Sequence, residues 1–214
     1  MKTLYLKSVD STQNYLKDLL KNENLELPFA VISEVQTNGI GSRDNLWSGL
    51  DGNLFLSFAI SLEQLPKDLK IESCSIYFAY LLKETLSELN SSVWLKWPND
   101  FYIDKLKIGG MITNLAGDNL ICGVGLNLVD SPKEFTKLDI EISKETLLNN
   151  YFNKISERAM WKQIFSKYKL EFNHNKNFFT HINNKKISLE DAELYSDGSI
   201  IINNERIYSL RWVK

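Results

Sequence analysis

Apolar residues along this chain recur with two spacings, which separate predicted strands from predicted helices. Asn53 to Ile60 is predicted as a strand, with the alternate residues Leu54, Leu56, Phe58 and Ile60 on one face. Phe29 to Val35 is a largely apolar run with β-branched residues, which indicates a buried strand. From Ile71 to Leu89 the apolar residues lie three or four positions apart, which predicts a helix. The chain therefore combines buried strands with amphipathic helices.

The remaining pattern completes an α+β fold, with a mixed sheet flanked by helices. Asp10-Ser11-Thr12 offers side-chain oxygens that cap a helix start, and the apolar residues that follow share one helical face. Ser143 to about Phe172 is predicted as one long amphipathic stretch. Further strands are predicted at 3–8, 92–97, 101–103, 107–115 and 120–128, the last two joined by a turn at Gly117-Asp118-Asn119.

The C-terminal part of the chain has a different character. Asn173 to Asn184 is rich in asparagine and histidine and is predicted to be a linker. Lys185 to Val213 contains short strand-like runs around Asp197-Gly198 and Asn203-Asn204, which are typical hairpin dipeptides. We therefore expect a large domain at residues 1–175 and a small β domain, a barrel or meander, at 185–214.

Composition and charge narrow the class of protein. Lys and Arg total 25 against 27 Asp and Glu, a net charge of −2, whereas non-specific nucleic-acid binding needs a basic surplus. The two cysteines lie far apart in apolar surroundings, and the two histidines form no cluster with them, so we expect reduced thiols and no structural zinc. Neither a signal peptide nor a membrane span is visible, so we expect a cytoplasmic protein.

The segment Lys96-Trp97-Pro98-Asn99-Asp100 concentrates charge at a predicted strand end. Pro98 has no backbone N–H and disfavours a helical Trp97, so the strand should end there. The carboxylate of Asp100 can hold Mg²⁺ together with substrate phosphates. Lys107, which precedes a Gly-Gly pair, can neutralise charge that develops in a transition state.

Three other segments have two interpretations each, a ligand-binding role and a purely structural role. Asp10 to Gln13 can bind a polar ligand at a helix start or act only as a cap. In Gln36 to Trp47 the glycines, Arg43 and Trp47 suit a phosphate and an aromatic ring, or they form a plain surface loop. Alternating glycines in Cys122 to Asn127 indicate a backbone that lies against a ligand, or a tight sheet crossing.

Taken in this order, the segments resemble the biotin protein ligase family. The most specific match is Lys96 to Asp100 with Lys107 to Met111. The likeness extends to Asp10-Ser11-Thr12, to the Gln36 to Trp47 pattern, to the run from Gly52-Asn53-Leu54 to Ser57, and to Gly123-x-Gly125-x-Asn127. It implies a class II synthetase-like catalytic domain followed by an SH3-like β domain. It also implies that ATP and biotin, with Mg²⁺, form biotinyl-5′-AMP, whose acyl group passes to a lysine of a carrier domain.

The resemblance further implies residue roles. Lys107, Arg43 and Asp100 are the predicted catalytic residues, and Lys107 would contact the biotin carboxylate and the α-phosphate. The predicted biotin ligands are Ser11, Thr12, Gln13, Gln36, Gly39, Ile40, Gly41, Ser42, Lys107, Gly110 and Gly125. The predicted ATP or adenylate ligands are Arg43, Trp47, Asn53, Lys96, Asn99 and Asn127, and Asp100 is also the predicted Mg²⁺ ligand.

The loop from Gly39 to Asn45 departs from the family pattern. Many members carry Gly-Arg-Gly-Arg-Arg-Gly-Arg there, and Arg43 is the one arginine that remains in this chain. Each lost charge-assisted contact is worth about 1.5–3 kcal/mol. We therefore expect weaker retention of the adenylate, or a tighter dependence on Mg²⁺.

Partners follow from the same resemblance. The expected acceptor is the biotin carboxyl carrier protein of acetyl-CoA carboxylase or a similar biotin-accepting domain. A second copy of the chain is a further candidate partner, because edge strands can pair. The family's optional winged-helix domain is absent from this sequence, so we expect no operator DNA as a partner. No apolar stretch approaches the roughly 20 residues that span a bilayer, so we expect no membrane partner either. The alternatives are a lipoate–protein ligase, which shares the chemistry, and a non-catalytic biotin- or nucleotide-binding protein, which would be expected to lack Lys107 or Asp100.

Overall fold

The computed structural model describes residues 1–41, 46–47, 50–182 and 185–209. Its strands are β1 (Lys2–Val9), β2 (Phe29–Gln36), β3 (Gly39–Ile40), β4 (Leu46–Trp47), β5 (Leu54–Ser61), β6 (Trp94–Lys96), β7 (Asp100–Ile103), β8 (Leu106–Ala116), β9 (Asn119–Leu126), β10 (Phe179–Ile182), β11 (Lys185–Ser188), β12 (Glu193–Leu194), β13 (Ile200–Ile202) and β14 (Glu205–Ile207). Its α-helices are α1 (Thr12–Asn22), α2 (Cys74–Glu88), α3 (Lys144–Ser156) and α4 (Trp161–Glu171). The mixed sheet flanked by helices confirms the predicted fold class.

A seven-stranded sheet forms the centre of the described residues, in the order β1-β2-β5-β9-β8-β7-β6. Strands β1 and β2 run parallel, and α1 makes the crossover between them. The other neighbours in this sheet are antiparallel, and β8 and β9 join in the predicted hairpin, with Gly117 at a φ of 57°. Positive φ is a backbone conformation that glycine adopts without steric cost.

The alternation along β5 separates two apolar layers. Leu54, Leu56, Phe58 and Ile60 face the larger layer, which includes the buried sides of α2, α3 and α4. Ala59 faces the smaller layer, where α1 packs through Leu16. The predicted shared face of Leu54, Leu56, Phe58 and Ile60 is therefore confirmed, and the opposite face, with Phe55, Ser57 and Ala59, is buried as well. On the second face α1 covers only part of the sheet, and the rest is left for the cleft described below.

The stretch from Ser143 to Phe172 was predicted as continuous, and the structure divides it into α3 and α4. Arg158 lies between them with a φ of 50°, which ends the first helix. The carboxylate of Asp68 then accepts the backbone N–H groups of Trp161 and Lys162 at 2.9 and 3.0 Å. A distant aspartate thus caps the start of α4, and local periodicity gives no sign of it.

The C-terminal strands form two small sheets, β10-β11 and β12-β13-β14. Both predicted hairpin dipeptides lie in turns, with Gly198 at a φ of 78° and Asn203 and Asn204 at 52° and 63°. The predicted linker at 173–184 is wrong in part, because Phe172–Asn177 forms a 3-10 helix and Asn175 is fully buried. The division at 1–175 and 185–214 stays a prediction. Among the described residues, every helix is too short or too polar to cross a membrane.

Candidate active site

A cleft opens on the α1 face of the sheet, beyond the N-terminus of that helix. The floor is backbone, since strands β8 and β9 present glycines there. The lining residues are Ser11, Thr12, Gln13, Gln36, Ile40, Gly41, Trp47, Leu56, Ser57, Asn99, Asp100, Lys107, Gly110, Met111, Ile112, Gly123, Val124 and Gly125.

One end of the cleft is a buried polar network at the start of α1. Gln36 accepts from the backbone N–H and the hydroxyl of Thr12 at 2.8 and 2.9 Å, through the same Oε1 atom. The Thr12 hydroxyl also lies 2.9 Å from the Ser57 hydroxyl. Gln13 accepts from Ser57 at 3.0 Å and donates to Asn114 at 3.1 Å. These bonds hold hydroxyl and amide groups in one orientation, which suits a neutral polar ligand.

The other end of the cleft carries the charge. Asp100 Oδ1 lies 2.6 Å from Lys107 Nζ, and its Oδ2 lies 3.5 Å from Lys96 Nζ. Burial raises the pKa of Asp100, but the two ammonium groups and their hydrogen bonds outweigh it and hold the pKa below the ordinary value. A carboxylate that bridges two lysines is ionised at neutral pH, and of the two cations Lys107 lines the cleft.

Strand register explains why these groups meet. Lys96 pairs with Asp100 across the β6-β7 turn, and Asp100 pairs with Gly110 across β7-β8. A register shift between Phe101 and Tyr102 brings Lys107 opposite Tyr102, so that its side chain reaches back to Asp100. A Cβ at Gly110 would lie 3.1 Å from Asp100 Oδ1 and 3.5 Å from Lys107 Nζ. A glycine there leaves room for the ion pair to lie over the strand.

Trp47 forms a wall between these two ends. A Cβ at Gly125 would lie 2.5 Å from its ring, so the indole rests directly on the backbone of β9. The ring meets Phe135 edge to face, with centroids 6.2 Å apart. Within the part of the chain that the structure describes, the buried Trp47 Nε1 has no hydrogen-bond partner. An aromatic side chain whose N–H is available as a donor is suited to a flat heteroaromatic ligand.

Two predicted nucleotide ligands instead hold a loop. Asn53 Oδ1 accepts the backbone N–H groups of Leu128, Val129 and Asp130 at 3.0, 3.1 and 3.3 Å. Asn127 Nδ2 donates to a backbone carbonyl of the same loop, and its Oδ1 accepts from Asn53 at 3.3 Å. Both side chains are fully buried beside the cleft and do not line it. They shape the loop that carries Phe135, and direct ligand contact by either stays a prediction.

Most of the other predicted site residues come together here. Lys96 stands behind Asp100, and Gly39 lies next to the lining residue Ile40. Ser42 and Arg43 lie outside the described residues. The predicted site residues that line the cleft are Ser11, Thr12, Gln13, Gln36, Ile40, Gly41, Trp47, Asn99, Asp100, Lys107, Gly110 and Gly125. Their ligand contacts stay predictions.

The predicted site omitted several described residues that line the cleft, which are Leu56, Ser57, Met111, Ile112, Gly123 and Val124, and it omitted Phe135, which packs on Trp47. Ser57 lies in the apolar run of β5, and its small polar side chain on the face opposite Leu56 was the available signal. Phe135 lies between β9 and α3 in a stretch without periodicity, so no pattern could have placed it against Trp47.

Comparison with known proteins places this site in a familiar group. Residues 5–127 match the model of the biotin/lipoate A/B protein ligase family. The bifunctional ligase/repressor BirA of Escherichia coli K12 is 33% identical over 127 residues, 56% of this chain and 38% of that protein. Biotin–protein ligase 2 of Arabidopsis thaliana is 29% identical over 159 residues, 64% of this chain and 47% of that protein. The chain thus spans under half the length of these relatives.

Solved structures match almost the whole chain. One, of biotin acetyl coenzyme A carboxylase synthetase from Helicobacter pylori with bound biotinylated ATP, has a TM-score of 0.93 and 39% identity. The match covers 97% of this chain and 99% of the other. Biotin protein ligase from Aquifex aeolicus, in complex with biotin and ATP, has a TM-score of 0.77 at 23% identity and shares the fold.

Proposed function

Because this chain belongs to the biotin/lipoate A/B protein ligase family, we propose that it is an ATP-dependent biotin–protein ligase. In the first half-reaction a biotin carboxylate oxygen attacks the α-phosphorus of ATP, which forms biotinyl-5′-AMP and releases pyrophosphate. In the second, the ε-amine of an acceptor lysine attacks the acyl carbon, which forms an amide and releases AMP and a proton.

The observation that carries the proposal is the arrangement of one cleft. A neutral hydrogen-bonding end around Thr12 and Gln36 faces a cationic end around Lys107, with Trp47 between them. The proposed substrates present matching groups: the ureido ring and carboxylate of biotin, and the α-phosphate and adenine of ATP. The Helicobacter pylori protein, with 39% identity along 97% of this chain, holds biotinylated ATP.

Lys107 has the central chemical role in this proposal. Its ammonium group would bring the two anionic reactants together and stabilise the negative charge that builds on the α-phosphate during displacement. Asp100 and Lys96 keep that ammonium group in place before the substrate binds, since the three charges form one chain of contacts. Arg43, beyond the described residues, is the further proposed cation.

Mg²⁺ fits this cleft only with help from the substrate. Among the described residues no group of three His, Cys, Asp or Glu side chains could hold a metal ion. Mg²⁺ commonly binds one or two carboxylates together with phosphate oxygens, and Asp100 supplies one carboxylate here. When bound, the ion would neutralise charge on the leaving pyrophosphate.

We also propose the biological setting. The acceptor is a lysine on a biotin-accepting carrier domain, and the biotin carboxyl carrier protein of acetyl-CoA carboxylase is the proposed one. A cytoplasmic location accords with two free, buried cysteines, because reduced thiols are usual in that compartment. Among the described residues β1 and β6 are the outermost strands of the seven-stranded sheet, and an acceptor or a second copy can add to such edge strands.

Biotin-dependent exchange of labelled pyrophosphate into ATP tests the first half-reaction. Lys107→Met should reduce the exchange rate by about 10²–10³, the usual effect of removing one charge-stabilising group. Lys154→Met is the matched control, because Lys154 forms an ion pair of the same 2.6 Å length with Glu88 away from the cleft. Exchange by Lys107→Met within tenfold of wild type would contradict the assigned role.

The acid specificity needs a separate assay. Radiolabelled biotin and radiolabelled lipoate are each incubated with ATP, Mg²⁺, the protein and a carrier domain. We expect transfer of biotin. Transfer of lipoate alone would identify the lipoate ligase alternative, and binding of biotin without exchange or transfer would identify a non-catalytic binding protein.

A further inference from the structure

Trp97, in the middle of the Lys96 to Asp100 segment, is held at both of its N–H groups by residues far along the chain. Its backbone N–H donates to Asn175 Oδ1 at 2.6 Å, and its indole N–H donates to the carbonyl of Gly198 at 2.8 Å. Trp97 is 2% exposed and Asn175 is fully buried. Both acceptors lie beyond residues 5–127, the part that matches the family model.

The backbone bond takes the place of a sheet hydrogen bond. Strand β6 ends at Lys96, so Trp97 is the first residue past the ladder, and among the described residues β6 is the last strand of the sheet. A buried N–H without an acceptor is strongly disfavoured, so the backbone would move to find one. Asn175, in the 3-10 helix Phe172–Asn177, supplies that acceptor and decides where the strand end lies.

The indole bond ties the same point to the turn Tyr195–Ser199, between β12 and β13. This turn is anchored on the larger layer by two other bonds, from Ser73 Oγ to the Asp197 carbonyl at 2.7 Å and from Trp161 Nε1 to the Ser196 carbonyl at 2.8 Å. It is therefore a rigid support for Trp97.

On the cleft side of Trp97, two residues face the reactants in the proposed function. Asn99 exchanges hydrogen bonds with Met111, at 2.5 and 2.9 Å, and Asp100 meets Lys107 at 2.6 Å. Only Pro98 separates Trp97 from Asn99, so a shift at Trp97 passes directly to these groups.

We propose that Asn175 and Trp97 are positioning residues, which set the place of Asn99 and Asp100 for the nucleotide half of the reaction. The 3-10 helix Phe172–Asn177 and the turn Tyr195–Ser199 thereby act on catalysis through Trp97. This inference rests on the proposed function. It assigns a task to the buried amide of Asn175 and to the Trp97 indole that neither the cleft nor the core packing requires.

The test compares two substitutions that remove the same kind of bond. Trp97→Phe and Trp161→Phe each delete an indole N–H that donates to the turn, but only Trp97 belongs to the Lys96 to Asp100 segment. Thermal unfolding, biotin binding by calorimetry without ATP, and biotin-dependent exchange over a range of Mg·ATP concentrations are measured for each. Misplacement by a fraction of an ångström should lower kcat/KM for Mg·ATP about 10- to 100-fold in Trp97→Phe. Biotin affinity should stay within twofold.

Asn175 supplies the second pair of variants. Asn175→Ala removes the acceptor and should reproduce the loss of kcat/KM for Mg·ATP. Asn175→Asp keeps an acceptor oxygen in place and should restore exchange per folded molecule, even where it lowers the melting temperature.

The outcomes separate the hypotheses. Absence of exchange in the wild type would refute the proposed function itself. With an active wild type, a loss in Trp97→Phe under fivefold relative to Trp161→Phe, or an equal loss of biotin affinity, would overturn the positioning role. Equal exchange in Asn175→Ala and Asn175→Asp would overturn it as well.

Discussion

Gly125 and Gly109 lie close together on paired strands, yet an added methyl group should affect stability at Gly109 and ligand binding at Gly125. A Cβ at Gly125 would lie 2.5 and 2.6 Å from Trp47 ring atoms, which belong to a side chain that can rotate away. A Cβ at Gly109 would lie 2.4 Å from the backbone carbonyl oxygen of Gly125 and 3.1 Å from Leu126 Cα. The sheet itself would have to separate there, because those atoms belong to β9.

The expected stability changes follow from that difference. Gly109→Ala overpacks against backbone and should cost about 1–3 kcal/mol or more. For a chain of this length that lowers the melting temperature by roughly 2–12 °C. In Gly125→Ala the indole gives way, and the reduced entropy of the unfolded chain offsets about 0.4–1 kcal/mol, so the melting temperature should change little.

Ligand binding should show the reverse order. The methyl group at Gly125 and the displaced indole both intrude on the cleft, so we expect biotinyl-AMP to bind at least about tenfold more weakly, or about 1.4 kcal/mol. Differential scanning calorimetry gives the stability, and isothermal titration with a non-hydrolysable adenylate analogue gives the affinity. Equal melting temperatures of the two variants, or wild-type affinity in Gly125→Ala, would refute this reading of the floor of the cleft.

Other regions of the molecule give further predictions. Burial raises the pKa of Asp197, but hydrogen bonds from Ser199 and the charge of Arg206 lower it below its ordinary value. The contribution of Asp197 to stability is therefore present at neutral pH and is lost as the pH falls through the depressed pKa. Asp197→Asn should make the melting temperature depend less on pH in the acid range. Asn53→Ala leaves three loop N–H groups without their acceptor and should destabilise the fold by about 1–3 kcal/mol in urea titration, and wild-type stability would contradict its structural role. The arginine-poor run 39–45 should release biotinyl-AMP faster than a four-arginine homologue, and equal dissociation rates in a filter-binding assay would refute this expectation.

Local patterns anticipated much of the fold. The alternation along strand β5, the Ser11 cap of α1 and the hairpin turns at Gly117 and Asn203-Asn204 all depend on residues within a few positions of one another. Hydrophobic periodicity and turn formation depend on residues that are close along the chain, so a single sequence is enough to predict them.

The break between α3 and α4 shows a limit of prediction from local sequence patterns. Both helices have apolar faces at the same spacing, so the stretch looks continuous. The start of α4 depends on Asp68, which lies 93 residues before Trp161. A cap supplied from such a distance leaves no local trace.

The features of the candidate site likewise fall into those that the sequence determined and those that only the tertiary structure decided. The sequence by itself determined which residue types were available: a lysine and an aspartate at a strand end, glycines in two strands, and a hydroxyl-rich helix start. Only the tertiary structure decided that a register shift turns Lys107 toward Asp100, that Asn53 serves a loop, and that Asn175 and Gly198 hold Trp97. The physical reason is that each of these contacts satisfies a buried polar group with a partner brought near by sheet pairing or packing, and such partners are not specified by neighbours along the chain.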